Sequence, residues 1–152
     1  MTLIALSDRE PYIPAERTIP ATLKALGELG GHTRAFVFSC ATHDAEATAG
    51  ALELAVHEIG VNIVRHAYDS QGGWLSIAYR IEGDDLVVTL TDAGRPFEPE
   101  DAVEPDPDQP TEGGYGLFLV AQLVDDLTYT RTRDRNRWEL RVGRTGRRAA
   151  AG

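Results

Sequence analysis

Between Trp74 and Leu90 the chain alternates apolar and polar residues on both sides of a four-residue turn. Leu75, Ile77, Tyr79 and Ile81 share one parity, Glu82-Gly83-Asp84-Asp85 interrupts it, and Leu86, Val88 and Leu90 resume it. Period-two alternation puts one side of each strand in a core and the other toward water, so the pattern predicts an antiparallel hairpin with one buried face. Such a face needs a cover. Upstream, Leu52, Val56, Ile59, Ile63 and Ala67 recur at spacings of three and four, which is one side of a helix. Asp44 is the expected N-cap of that helix, which should run to about Tyr68 and stop at Gln71-Gly72-Gly73.

The remaining segments extend this plan. The first residues, through Glu16, carry Pro11 and Pro14 and read as a flexible N-terminal arm, 1–16. Arg17 to Ile19 fits a short strand ended by Pro20. Ala21 to Ala41 is helical in character, although Gly27, Gly30 and Gly31 weaken it and could delay the helix until after Gly31. Leu117 to Asp126 reads as a buried helix, and Leu127–Thr132 with Arg137–Val142 as a last hairpin. The basic tail, 144–152, holds Arg144, Arg147 and Arg148 and is expected to be disordered, leaving a single domain at 17–143. Helices grouped apart from antiparallel strands predict an α+β two-layer sandwich, with helices on one face of the sheet.

Charge and cysteine content narrow the function classes. The 152 residues carry a formal net charge of -9, which repels phosphate backbones and argues against nonspecific nucleic-acid binding. The lone cysteine, Cys40, has no partner for an internal disulfide. No apolar run approaches the roughly 20 residues of a membrane span, and no charged start leads into a long apolar stretch. The expectation is a cytoplasmic protein with no membrane contact.

Three segments carry chemistry. In the long helix, Glu58 and Asn62 are four apart and share a face separate from the apolar stripe. A carboxylate and an amide oxygen together suit Mg²⁺ with its waters, and Glu58 can also take a proton. Taken alone, a solvated helix face is the plainer reading of this pair. Next comes Thr91-Asp92-Ala93-Gly94-Arg95-Pro96-Phe97. Asp92 shares the parity of Leu86, Val88 and Leu90 and so points to the core side, where a carboxylate needs a donor. Adenine offers an exocyclic amine where guanine offers a carbonyl, so Asp92 would select adenine, and Gly94 lets backbone approach a flat base. Taken alone, a common strand-end Asp-x-Gly turn is by far the plainer reading of this segment. The third segment is Gly113-Gly114-Tyr115-Gly116-Leu117-Phe118-Leu119. Glycines ahead of a helix free N–H groups for an anion, as in a phosphate site, although a hinge has the same composition.

The order and separation of the three segments resemble the N, G1 and G2 boxes of the GHKL (histidine-kinase-like, Bergerat-type) ATPases. Glu58-x-x-x-Asn62-x-x-x-His66-Ala67-Tyr68, Asp92-x-Gly94-x-Pro96-Phe97 and Gly114-x-Gly116-Leu117-x-Leu119 are especially similar to the anti-sigma-factor serine/threonine kinase branch. The resemblance runs from about Ile19 to Val142. It implies a sandwich with a mixed, mostly antiparallel sheet, and the cofactors ATP and Mg²⁺. It implies Glu58 as the catalytic residue that activates a serine hydroxyl, and Asn62 as the Mg²⁺ ligand. Asn62, Arg65, His66, Asp92, Gly94, Pro96, Phe97, Gly113, Gly114, Tyr115, Gly116 and Leu117 would form the nucleotide site, with 95–113 as its lid. The implied partners are a sigma factor and an anti-sigma-factor antagonist, with a homodimer possible.

Pro96 departs from the glycine frequent at that place in the superfamily and removes an N–H. The lid holds Glu98, Glu100, Asp101, Glu104, Asp106, Asp108 and Glu112 against the one cation Arg95, so it neutralises phosphate poorly and suits a basic partner. These features keep open a second function, a catalytically inactive, nucleotide-dependent protein-binding switch. His57-Glu58 is not a zinc-protease motif, since Val61 stands where the second histidine belongs. Cys40 reads as buried filler, Trp74 and Trp138 as sheet-face packing, and one of Phe36 and Phe38 should be exposed.

Overall fold

The computed structural model describes residues 11–40, 42–98 and 116–145. Along the described residues the α-helices and strands are β1 (Arg17–Pro20), α1 (Leu23–Leu26), α2 (Leu29–Ser39), α3 (Ala45–Asn62), β2 (Trp74–Glu82), β3 (Asp85–Asp92), α4 (Gly116–Leu123), β4 (Asp126–Thr132) and β5 (Arg135–Gly143). The strands form one sheet in the order β1-β2-β3-β5-β4. All four pairings are antiparallel, so among the described residues the sheet is antiparallel throughout rather than mixed.

The β2–β3 hairpin forms in the register its sequence predicts, with Ile81 opposite Leu86 and Leu75 opposite Asp92. Leu75, Ile77, Leu86, Val88 and Leu90 are fully buried under the helices, together with Leu140 of β5, Leu52, Val56 and Ile59 of α3, and Ile63 just after it. At roughly 25 cal/mol per Å² of apolar surface withdrawn from water, this shared interior is the main stabilising term. It also fixes α3 across the sheet. β3 lies between two strands, so the inward side chains at both of its ends are buried, Asp92 included.

Several local expectations change. The helical region 21–41 is two helices, and Gly30 and Gly31 lie inside α2. A Cβ at Gly30 would stand 2.6 Å from Oε1 at the end of the Glu53 side chain of α3. Thr22 caps α1, accepting the Ala25 N–H at 3.1 Å. Asp44 makes no side-chain cap; it adopts a left-handed conformation, φ 47°. The first turn is held instead by Thr48, whose Oγ1 donates to the His43 carbonyl at 3.3 Å.

The long helix is also not uniform to Tyr68. After Asn62 it widens into one π turn, Ile63–Ala67, where the Tyr68 N–H reaches the Ile63 carbonyl. Single π turns of this kind often mark functional sites. α4 is buried only at Val120, while Phe118 and Leu119 are exposed, so it is less buried than its composition suggests. Phe36 is buried and Phe38 exposed, with the Arg34 guanidinium over its ring. Arg144 and Thr145, assigned to the tail by sequence, are fastened to Asp84 by a backbone and a side-chain hydrogen bond. Among the described residues, no helix is long and apolar enough to cross a membrane.

Candidate nucleotide site

The first two of the three segments singled out by sequence meet where α3 and its π turn cross the ends of β3 and β5. A narrow cleft with a cavity volume of about 10 Å³ opens there, lined by Asn62, His66, Asp92, Pro96, Phe97 and Trp138 among others. Asn62 and His66 reach it from the helix, Asp92 from the last residue of β3, and Pro96 and Phe97 from the loop beyond.

Asp92 is fully buried. Its Oδ1 accepts the Gly94 N–H at 2.8 Å and the Asn136 Nδ2–H at 2.8 Å. Its Oδ2 is buried with no hydrogen-bond partner. Burial pushes the carboxyl above its ordinary range, and the donations from Asn136 and Gly94, with the nearby Arg131 cation, pull it back in part. A buried acceptor without a donor is costly, commonly about 1–3 kcal/mol. A ligand N–H placed at Oδ2 would remove that cost, so the residues present fit an amine-bearing base.

Close packing ties the three segments together. A Cβ at Gly94 would lie 2.4 Å from the Ala67 carbonyl oxygen, and that oxygen accepts the Arg95 N–H at 2.8 Å. Gly94 therefore serves contact between the loop and the π turn. A Cβ at Gly116 would lie 2.7 Å from Glu58 Oε2. The start of α4 thus sits against the carboxylate proposed to handle the proton. Leu117 packs at the edge of the core. Arg65 is exposed and is not among the residues lining the cleft. Gly113, Gly114 and Tyr115 lie outside the described residues.

The chain from Ile19 to Val142 matches the family profile of the histidine kinase-like ATPase domain. It belongs to that family. The histidine kinase-like ATPase domain found here is similar to serine-protein kinase RsbW of Oceanobacillus iheyensis, 35% identical over 89 residues, or 50% of this chain and 54% of that protein. Serine-protein kinase RsbW of Halalkalibacterium halodurans is 34% identical over 85 residues, 50% of this chain and 51% of that protein. The chain spans about half the length of these curated relatives. Among solved structures, the RsbU and RsbW domains of Rv1364c from Mycobacterium tuberculosis align over 91% of this chain and 34% of that one, with TM-score 0.64 and 18% identity. That likeness shows the fold.

Four residues at or beside the cleft are not marked as site residues by the sequence. Asn136 and Trp138 line the cleft from β5. Tyr129 of β4 bonds to both Asn136 and the Phe97 N–H, and its ring contacts Phe97 and Trp138. Arg131 of β4 donates to the Gly94 carbonyl at 2.8 Å. One signal was available: Asn136 shares the inward parity of Trp138, Leu140 and Val142, and a polar residue there is anomalous.

Proposed function

We propose that this domain binds Mg-ATP and transfers its γ-phosphate to a serine or threonine of a small anti-sigma-factor antagonist, and that it also sequesters a sigma factor. The supporting observation is the buried, unpartnered Asp92 Oδ2 beside Asn62 in one cleft. The relatives' name, serine-protein kinase RsbW, supports the choice of acceptor residue.

Asp92 receives the adenine amine at Oδ2. Asn62 would supply an oxygen ligand to Mg²⁺. The ion supplies charge neutralisation at the phosphates. Gly116, with Gly113 and Gly114 ahead of it, contributes main-chain N–H groups to the phosphate chain. Glu58 orients the acceptor hydroxyl and takes its proton. The hydroxyl oxygen forms the new bond to the γ-phosphorus, the bond to the β,γ-bridging oxygen breaks, and ADP leaves. Such transfer depends chiefly on positioning and charge, which this set provides.

The test is incubation of the purified protein with Mg-ATP and candidate antagonists, followed by phosphosite mapping. Serine or threonine phosphorylation lost in Glu58→Ala supports the kinase. The exposed Pro96 at the cleft favours a second reading, a non-catalytic nucleotide-dependent switch. Tight ATP binding with no transfer to any antagonist, and regulation intact in Glu58→Ala, would establish that reading.

A further inference from the structure

Asn136 is a buried residue of β5 paired directly with Asp92 across the sheet. Its Nδ2 donates to Asp92 Oδ1 at 2.8 Å and to the Arg95 carbonyl at 2.9 Å. Its Oδ1 accepts from Tyr129 Oη at 2.5 Å and from Arg131 Nη1 at 3.1 Å. A guanidinium only donates and a carbonyl only accepts, so the amide can face only one way. Flipping it would set its NH₂ against Arg131 and its oxygen against the Arg95 carbonyl. The asymmetry of Asp92 follows: both donors fall on Oδ1, and Oδ2 is left open.

We propose that Asn136 is the positioning residue that sets the base preference of the cleft, by keeping Asp92 an acceptor whose one open oxygen takes an exocyclic amine and refuses a carbonyl. The assignment rests on the nucleotide reading given above and adds to it the residue that enforces the selection. The chemistry is that of a buried carboxyl. Without donors it takes up a proton, and the resulting acid donates as well as accepts, so it welcomes a carbonyl-bearing purine. Asn136 opposes this by hydrogen bonding to the charged form. Among the described residues, the charged and titratable groups around the cleft besides Asp92 are Arg131 and Tyr129 from β4, His66 from the π turn and Arg95 from the loop. Of these, Arg131 acts on Asp92 through its charge.

ATP and inosine triphosphate differ at this point in the needed way, since they share sugar and phosphates while the amine of one is a carbonyl in the other. Binding of each to the wild-type protein and to Asn136→Asp, measured by calorimetry with Mg²⁺, tests the assignment. The wild type should prefer ATP by about 10-fold or more, in line with the discrimination of one base edge. Asn136→Asp keeps the side-chain shape and replaces the donor with a second carboxyl. Two carboxyls this close share a proton, and the preference should collapse toward unity while triphosphate binding persists.

A folded Asn136→Asp that keeps the wild-type ratio overturns the role of Asn136 and leaves the adenine reading standing. A wild-type protein that binds neither nucleotide sinks both. Should Asn136→Asp not fold, the Asp92 carboxyl carbon in the wild type, followed by NMR at neutral pH, decides instead. A carboxylate signal is expected, and a protonated acid overturns the proposal.

Discussion

The Gly94 backbone lies against the Ala67 carbonyl so closely that a Cβ would sit 2.4 Å from that oxygen. The contact joins the loop after β3 to the π turn and thereby fixes the width of the cleft. Because the obstacle is backbone, Gly94→Ala should force the two apart. Overpacking of this kind costs ~1–3 kcal/mol. Thermal unfolding should show a fall of about 2–4 °C for each kcal/mol, accompanied by loss of ATP-induced stabilisation. An unchanged melting temperature would show that the contact is slack.

Tyr68 closes the same region from the other side. Its hydroxyl donates to the Trp74 carbonyl at 2.7 Å and accepts the Ala93 N–H at 2.8 Å, so it staples the start of β2 to the end of β3. Tyr68→Phe leaves both main-chain groups without this partner. A loss of about 1–3 kcal/mol is expected, read from denaturant unfolding at unchanged m-value. Stability equal to wild type would mean that water replaces the hydroxyl in full.

Burial of the Asp92 carboxyl costs stability, a cost that adenine recognition would explain under the proposed function. Its folded-state pKa is raised, first by burial, so the folded protein holds this proton more tightly than the unfolded chain does. Its effect on stability is therefore most favourable below the unfolded pKa, declines as pH rises through the folded pKa, and is flat above it. Asp92→Asn should remove that decline and melt no lower than wild type at pH 7. It should also lose its response to ATP, because its NH₂ would face the adenine amine. A marked drop in melting temperature at pH 7 would show that the donors on Oδ1 outweigh the burial.

The outer face of the sheet offers the opposite case. Burial pushes Glu139 upward, but hydrogen bonds and charge from Arg141 and Arg80 outweigh it and hold its pKa below the usual range. The group stabilises the fold above its unfolded pKa, and that contribution fades as pH falls through the folded value. Glu139→Gln should cost stability at neutral pH, less in high salt, and flatten the acid side of the stability curve. Identical acid limbs for the two proteins would assign no part of the acid sensitivity to this cluster.

Sequence was informative wherever the decisive interaction is local. Alternation in 75–90 sufficed for the hairpin, its register and the inward direction of Asp92, because strand parity is a property of neighbouring residues. Helical spacing placed Glu58 and Asn62 on one face for the same reason. The π turn was hidden, since the same apolar spacing suits an α-helix, and the contact of Ala67 with Gly94 joins residues remote in sequence. Asp44 illustrates a local rule overridden: its residue type suits a cap, yet its backbone is left-handed.

What the chain by itself determined is therefore the inventory: one acid at a strand end, one acid and one amide on a helix, glycines before a short helix, and a hairpin to carry them. Tertiary structure decided how the acid is used. Asn136 is 44 residues beyond Asp92 and reaches it through the β3–β5 pairing, while Tyr129 and Arg131 arrive on the edge strand next to β5. Hydrogen-bond saturation of a single carboxylate oxygen depends on angles and distances between strands remote in sequence, and no local pattern encodes those.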